Sequence, residues 1–229
     1  MVYGEVQTKI LLKILQSDGL RYSEAYPGEE IDDDLYNYHL KQLIKNGVIE
    51  KNEGKYVLTS LGRSEVQMMD VLGEYQEQFR VSVLMYVTLG DKILMCRRTR
   101  WPLRGDVTSP AGKVRRGEKM VEAAKRKLKA ETNLEAEFKL IGVLRSARKF
   151  ENKIVEDTIY NICVAHEPKG ELSIANEHGE FFWTGFDEAI KFASNNVAGG
   201  ENQIEILNRV KNNKTELFYL EEVIELSRY

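Results

Sequence analysis

The chain has little of several things that mark particular classes of protein. Its 229 residues include only two cysteines, four prolines and three histidines, which excludes a disulfide-stabilised scaffold and a proline-rich or collagen-like chain. No apolar run approaches the roughly 18 residues of a membrane-spanning helix, and no signal peptide is visible. Cys96 and Cys163 lie in apolar, strand-like runs that are typical of buried thiols. These absences predict a cytoplasmic protein without a membrane partner.

The chain does have enough apolar sequence for a sizeable core. Apolar residues make up 42% and charged residues 30%, which is typical of a globular protein, and the length favours two domains. The charge is uneven, because residues 1–70 carry 8 Lys and Arg against 12 Asp and Glu. A unit that binds nucleic acid is usually basic, so this balance weighs against DNA binding.

The first quarter of the chain has the pattern of two helices followed by a β-hairpin. Apolar residues at helical spacing predict a helix over about residues 4–17, and Asp32 to Asp34 suit the first turn of a second helix. Two extended runs over residues 48–59, separated by Asn52-Glu53-Gly54, predict the hairpin. This order resembles a winged helix-turn-helix domain.

The winged-helix resemblance implies a role for polar residues on the second helix and the hairpin. In that family the second helix enters the major groove of DNA, and basic residues contact phosphates. The candidate DNA-binding residues are Lys41, Gln42, Lys45, Lys51 and Lys55. The aspartates at the start of the helix oppose DNA there. Dimerisation, or docking on a protein, is therefore an equal alternative.

From Val81 onward the pattern changes to strands, with one strong helix among them. Runs rich in β-branched and aromatic residues cover residues 81–89, 92–98, 138–148 and 154–166. A helix is predicted over about residues 119–132, and another over residues 65–80 as a connection between two domains.

Residues 107–134, VTSPAGKVRRGEKMVEAAKRKLKAETNL, resemble the Nudix box, the loop–helix–loop motif of the Nudix hydrolases. Six of its nine fixed positions agree without a gap: Gly112, Glu118, Arg126, Leu128, Glu131 and Leu134. The three substituted positions hold Lys127, Ala130 and Asn133. The resemblance covers about residues 81–195, since FFWTGFDEA at 181–189 is similar to the late strand and helix of that fold.

The two resemblances together imply a fold class and a domain arrangement. The fold is expected to be α/β, a Nudix-type α/β/α sandwich with a mixed sheet, preceded by an N-terminal winged helix-turn-helix domain. The predicted boundaries are 1–64 for the winged helix-turn-helix domain, 65–80 for the connecting helix and 81–229 for the Nudix-type domain with a C-terminal helical extension.

Nudix hydrolases cut nucleoside diphosphate derivatives with Mg²⁺ or Mn²⁺ held by carboxylates on the box helix, because hard cations prefer oxygen ligands. Of three carboxylates expected on one helical face, only Glu131 remains beside Lys127 and Ala130. Lys127 is spaced to pair with Glu131. The resemblance implies that Glu118 and Arg126 support the loop. In an active enzyme the catalytic candidates are Glu131 and Glu118, and the metal ligands are Glu131, Glu118 and Glu180, with Glu177 as a further loop carboxylate.

The box is also strongly basic, since residues 113–129 carry eight Lys and Arg against two Glu. Such a segment attracts phosphate. Fixed cations are predicted to replace the metal charge and to hold a diphosphate that is not cut, so that no cofactor is required. The candidate ligand-binding residues are Lys127, Arg115, Arg116, Arg97, Arg98 and Arg145, with Arg148 also on a flanking strand.

Three functions stay open. The preferred one is a non-hydrolytic sensor of a nucleoside diphosphate derivative that acts as a transcriptional regulator, as a homodimer on palindromic DNA. One alternative is an active, metal-dependent Nudix phosphohydrolase of such derivatives that uses Mg or Mn. The other is an interaction protein with neither activity.

Overall fold

The chain folds as two compact units, Met1–Gln78 and Phe79–Tyr229. The structure is a computed structural model, and it describes residues 3–28, 30–66, 79–100, 103–176, 179–197, 200–214 and 216–227. Within those ranges no helix is both long enough and apolar enough to cross a membrane.

In the N-terminal unit, helices and a hairpin surround one apolar core. The elements are α1 (Glu5–Leu15), α2 (Asp33–Lys45), β1 (Ile49–Asn52), β2 (Lys55–Leu58) and α3 (Ser60–Val66). The aspartate predicted at the start of α2 is its cap, because the Asp32 side chain accepts a hydrogen bond of 2.7 Å from the backbone N–H of Leu35. Apolar residues of both long helices fill the core: Ile10, Leu11, Ile14, Tyr36, Leu40 and Leu43.

The β1–β2 hairpin turns over two residues rather than the predicted three. Glu53 and Gly54 both have positive φ, 49° and 80°, and Asn52 pairs with Lys55 across the turn. Two successive residues at positive φ are typical of a type I′ turn, which favours glycine at its second position. Asn52 therefore belongs to β1 and not to the loop.

The connecting helix predicted over residues 65–80 is only partly described. α3 begins at Ser60, earlier than predicted, and residues 67–78 lie outside the described ranges. At its far end the prediction is wrong, because Arg80 begins a strand.

The C-terminal unit is built on a mixed sheet of eight described strands. They are β3 (Arg80–Leu89), β4 (Lys92–Arg98), β5 (Val107–Thr108), β6 (Ala111–Lys113), β7 (Lys139–Phe150), β8 (Lys153–His166), β9 (Gly179–Gly185) and β10 (Phe218–Glu225). The order is β10-β7-β8-β3-β4-β5, with β6 paired to β3 and β9 to β4. β3 is parallel to β8, and β10 is parallel to β7.

Helices cover both faces of this sheet, which confirms the predicted α/β class with a mixed sheet. They are α4 (Met120–Thr132), α5 (Phe186–Asn195) and α6 (Glu201–Lys211). Alternate residues of β3 point to opposite faces: Met85 packs in the core beneath α4, and Tyr86 packs in the core beneath α5 and α6. Cys96 and Cys163 are buried and free, and burial raises the pKa of each thiol to about 12.

The C-terminal extension contains the expected helix, α6, followed by one last short segment. This segment forms β10, whose residues alternate between half-buried and exposed, as expected of a strand with one covered face. The Phe218 ring lies against Gly142 of β7, where an added Cβ would overlap the ring. The missing side chain at Gly142 thus allows β10 to join the edge of the sheet.

Candidate functional site

The box helix α4 buries one face and turns polar residues of another toward a cavity. The buried face includes Ala123, Ala124 and Leu128. The cavity-lining residues are Arg126, Lys127 and Glu131. Asn133 ends the helix with φ 60°, the left-handed conformation in which Asn is the usual substitute for Gly. This substitution in the box therefore leaves the helix and its end intact, as predicted.

Glu118 and Arg126 fasten the loop before α4 to the helix. Arg126 donates two hydrogen bonds to the Glu118 carboxylate, of 2.6 and 2.8 Å, and a third of 3.1 Å to the carbonyl of Lys113. The backbone N–H of Arg115 donates to Glu118 Oε2 at 2.9 Å. The hydrogen bonds from Arg126 and from the Arg115 backbone lower the pKa of Glu118 to about 2. Both oxygens of this carboxylate therefore accept hydrogen bonds from the loop or from α4.

Lys127 forms an ion pair with Glu131, one helical turn away, as the spacing predicts. Both side chains are shielded from solvent, with exposed fractions of 19% and 7%. The aliphatic part of Lys127 lies on Gly112, where an added Cβ would overlap Cγ, Cδ and Cε of the lysine. The absence of a side chain at Gly112 thus leaves space for the aliphatic part of Lys127. The lysine ammonium group is paired with the Glu131 carboxylate.

A cavity of about 610 Å³ lies beside α4, within the usual range for small-molecule sites of roughly 300–1,000 Å³. Eight basic residues line it: Arg80, Arg98, Arg100, Lys113, Arg115, Arg126, Lys127 and Arg148. Three acidic residues line it: Glu131, Glu156 and Glu222. An excess of cations in a concave site favours an anionic ligand.

A buried ionic cluster around Glu156 forms another part of the lining. Glu156 accepts hydrogen bonds from Arg148 Nη1 at 3.0 Å, from the Tyr160 hydroxyl at 3.1 Å and from the Thr158 hydroxyl at 3.2 Å. Arg80 Nη1 is 3.4 Å away. Burial favours the neutral acid, but the charges of Arg148 and Arg80 outweigh it and lower the pKa of Glu156. Glu156 is therefore ionised and neutralises Arg148.

Three of the six predicted ligand-binding residues line the cavity: Lys127, Arg115 and Arg98. The prediction is corrected for the other three, Arg97, Arg116 and Arg145, which are not among the lining residues. Side chains alternate across a strand, so the arginine next to Arg98 faces away, toward the rings of Phe182 and Phe192.

Arg145 shows the same alternation on β7. Its neighbours Leu144 and Ser146 line the cavity, whereas its own guanidinium pairs with Asp157 at 3.1 Å and Glu221 at 2.8 Å. The Arg145 guanidinium therefore lies on the face of β7 opposite the cavity lining.

The three carboxylates predicted as metal ligands do not come together. Glu131 and Glu118 are each paired with a basic residue of α4, and Glu180 is exposed on β9, 3.8 Å from Arg97 Nε. Across the described ranges no group of three or more His, Cys, Asp or Glu side chains could hold a metal ion. Glu177 lies outside the described residues. Since Mg²⁺ and Mn²⁺ need several oxygen ligands, these donors do not fit either ion.

Sequence reasoning missed Arg80 and the acidic centre of the buried cluster. A signal was present, because Glu156, Thr158 and Tyr160 are spaced two apart and therefore share one face of β8. Three polar residues on one face of an inner strand indicate a polar cavity or a buried network.

The predicted DNA-binding residues lie in the N-terminal unit on two elements. Lys41 and Lys45 are exposed on α2, Lys51 and Lys55 are exposed on the hairpin, and Gln42 is half-buried. Large apolar side chains exposed on the same helix are Leu35, Tyr38 and Ile44. The surface thus offers both phosphate contacts and apolar contacts.

Comparison with known proteins gives a family and a fold. The NUDIX domain family matches residues 78–205, more than half of the chain. No match was found among curated proteins. One similar solved structure is a mutator MutT protein from Bacillus halodurans, which is 22% identical, with a TM-score of 0.52 over 63% of this chain and 91% of that one. That likeness shows the fold.

Two further structures are similar over much of the chain. A NUDIX hydrolase from Nitrosomonas europaea is 18% identical, with a TM-score of 0.48 over 78% of this chain and 93% of that one. The NUDIX domain of NrtR from Shewanella oneidensis, solved with ADP ribose, is 11% identical, with a TM-score of 0.49 over 60% of this chain and 90% of that one.

Proposed function

Because the chain belongs to the NUDIX domain family, we propose that its C-terminal unit binds a nucleoside diphosphate derivative and does not hydrolyse it. The observation that carries the proposal is the ion pair between Lys127 and Glu131. In this family the metal-binding carboxylates lie on that face of the box helix. Here only the Glu131 carboxylate remains there, and the Lys127 ammonium group is paired with it.

The lining cations supply the attraction that a metal ion supplies in a hydrolase. Lys127, Arg115 and Arg98 line the same cavity, and charge-assisted hydrogen bonds from Lys and Arg are strong contacts for phosphate oxygens. These charges are covalently attached, so the diphosphate binds without a divalent ion. Attack by water, in contrast, needs a group that activates the water and a charge that stabilises the leaving phosphate.

Isothermal titration calorimetry with ADP-ribose, in buffer containing a chelator, tests this proposal. We expect binding without divalent ions, and we expect Lys127→Ala to weaken it by about 1–3 kcal/mol, the range for a hydrogen bond to a charged group. Lys129→Ala is the matched control, because this lysine is half-exposed and pairs with Glu135 at 2.9 Å.

Two results would contradict non-hydrolytic binding. Equal ADP-ribose affinity for the two lysine variants would remove Lys127 from the site. Turnover of ADP-ribose that requires Mg²⁺ or Mn²⁺ and disappears in Glu131→Gln would support a phosphohydrolase instead.

We further propose that the N-terminal unit is a winged helix that binds DNA, so that the chain acts as a ligand-dependent transcriptional regulator. The four exposed lysines of α2 and the hairpin support this, since phosphate contacts provide much of the affinity for DNA. A homodimer would suit a palindromic site. The acidic first turn of α2 opposes DNA and keeps the affinity low.

Fluorescence anisotropy with a mixed-sequence DNA duplex tests the DNA proposal. We expect weak binding that falls with salt concentration, and we expect it to be lost when Lys41, Lys45, Lys51 and Lys55 are changed to Ala. Salt-independent binding, or binding that survives the fourfold change, would favour a protein partner on the exposed apolar residues of α2.

A further inference from the structure

The strand β10 is an open edge of the large sheet. Within the described part of the chain it is hydrogen-bonded to one other strand, β7. Leu226, the residue after β10, donates through its backbone N–H to the carbonyl of Lys149 on β7 at 2.8 Å. Backbone groups alternate in direction along a strand, so those of the odd-numbered residues 219–225 point away from β7. Such an edge is a template for pairing with another chain.

The open edge also carries apolar side chains. Tyr219 and Val223 are each 61% exposed, and Leu217, just before the strand, is 75% exposed. Proline and lysine, which protect many edge strands, do not occur in residues 218–225. Large apolar side chains beside an open backbone edge indicate an interaction surface.

The outer edge of β10 has no role in the family likeness or in the cavity beside α4. The NUDIX match ends at residue 205, and β10 begins at Phe218. On the outward face, Glu221 pairs with Arg145 at 2.8 Å, and its carbonyl accepts a hydrogen bond of 3.2 Å from the Asn202 side chain. This carbonyl keeps a second lone pair for another donor.

The sequence of β10 is complementary to itself when two copies run antiparallel. The outward-pointing groups belong to odd-numbered residues, so odd-numbered residues must face each other. When Leu220 lies opposite Leu220 of the second copy, Leu217 lies opposite Val223, and Tyr219 lies opposite Glu221. The exposed Leu217 and Val223 thus form apolar cross-strand pairs, which stabilise a sheet.

Charge selects this register over its neighbours. Moving the second copy to the next register one way places Glu221 opposite Glu221, and moving it the other way places Glu216 opposite Glu222. Like charges directly opposite each other destabilise a sheet. In the register centred on Leu220 no glutamate faces a glutamate. That register also brings the exposed Lys214 of one copy beside the exposed Glu225 of the other.

We propose that two copies of the chain associate through β10, with the two strands antiparallel about a twofold axis at Leu220. The pairing joins two sheets into one and covers the exposed apolar side chains at the edge. Each β10 has one open edge, so the assembly closes at two copies. The interface gives a surface to the homodimer in the proposed function but needs neither ligand nor DNA to form.

Sedimentation velocity on the full chain, without ligand or DNA, tests the association. We expect the native protein to form a dimer, and we expect Val223→Lys to raise its dissociation constant at least about tenfold, the effect of losing one buried apolar side chain. Ile174→Lys is the matched control, because Ile174 is 70% exposed and lies outside β10. Its dissociation constant should equal that of the native protein.

A cysteine at the twofold axis tests the register. Leu220→Cys should form a disulfide between two copies under mild oxidation, because opposite Cα atoms in an antiparallel pair are about 4.5–5.5 Å apart, within the range that a disulfide spans. Val223→Cys is at a more exposed position but lies far from its own copy, so it should link more slowly. Native Cys96 and Cys163 are buried and set the background rate.

Several results would overturn the interface. A native protein that stays monomeric at every concentration measured removes the dimer. An equal dissociation constant for Val223→Lys and the native protein would mean association through another surface. Linking at residue 223 that is as fast as at residue 220 contradicts the register. If the protein is monomeric but binds ADP-ribose, only the interface fails, whereas a β10 dimer that binds neither ADP-ribose nor DNA leaves the interface standing and refutes the proposed function.

Discussion

Glu118 illustrates how a box residue can be kept for architecture alone. Its two oxygens accept hydrogen bonds from Arg126 and from the backbone of Arg115, so the carboxylate ties the loop to α4. Arg115 of this loop and Lys113, the last residue of β6, both line the cavity. Glu118 thus holds the loop beside the cavity and does not itself line it.

Replacing Glu118 by Gln gives a pH-dependent test of this role. The pKa of Glu118 falls from about 4.5 to about 2 on folding, so the carboxylate stabilises the native state above about pH 4.5 and loses this effect as the pH falls toward 2. At pH 7 we expect Glu118→Gln to melt at a lower temperature than the native protein.

The gap between the two melting temperatures should narrow as the pH is lowered through that window in a calorimetric series. Glu171→Gln, at an exposed position, is the control and should change little. A gap that stays constant from pH 7 to pH 3 would contradict the role of the Glu118 charge.

The residues on one face of the box helix α4 determine whether the site binds a metal ion or binds the ligand without one. Lys127→Glu combined with Ala130→Glu restores three acidic residues at positions that are neighbours on a helix. We expect this double variant to bind Mn²⁺ in calorimetry where the native protein does not, because clustered carboxylates suit a hard cation.

The matched control for the acidic face is Lys119→Gln with Lys129→Glu, which changes the net charge equally at two exposed positions, the N-cap of α4 and its last turn. Equal Mn²⁺ binding by the two double variants would contradict the assigned register of the box.

Most elements were predictable from the sequence because their signals are local. The apolar stripe of α4, its end at Asn133 and the cap of α2 at Asp32 each depend on a few neighbouring residues. β10 was not predicted as a strand of the sheet, because its partner β7 lies far away in the sequence and accepts it only through the space above Gly142.

The candidate site was predictable only where it follows the box. The phase of β7 was not, since both faces of that strand carry an arginine, Arg145 and Arg148, and an extra residue, Ile141, interrupts its pairing with β8 before them. Such a bulge changes which face the later residues occupy.

At the scale of the whole molecule, two units with separate apolar cores share one chain. A ligand in the C-terminal unit regulates DNA binding only if it binds the two states of the chain with different affinities. The thermodynamic consequence is reciprocal: DNA must change the affinity for the ligand by the same factor as the ligand changes the affinity for DNA.

Reciprocity can be measured in two experiments on the full chain. We expect saturating ADP-ribose to change the affinity for a DNA duplex at least about fivefold, the lower range of allosteric coupling, and calorimetry with DNA present should return the same factor for ADP-ribose. Lys127→Ala should retain DNA binding and require a higher ADP-ribose concentration for the same response. DNA affinity that is unchanged by saturating ADP-ribose would make the two units independent.

The contact between Lys127 and Gly112 has a consequence for the history of the site. A Cβ at residue 112 would overlap the aliphatic part of Lys127, so a side chain there must displace the lysine while Lys127 is present and loses this overlap once residue 127 is small. The effect of one substitution therefore depends on whether the other came first, which is epistasis between neighbours. Gly112→Ala should therefore destabilise the native protein more than it destabilises a Lys127→Ala variant.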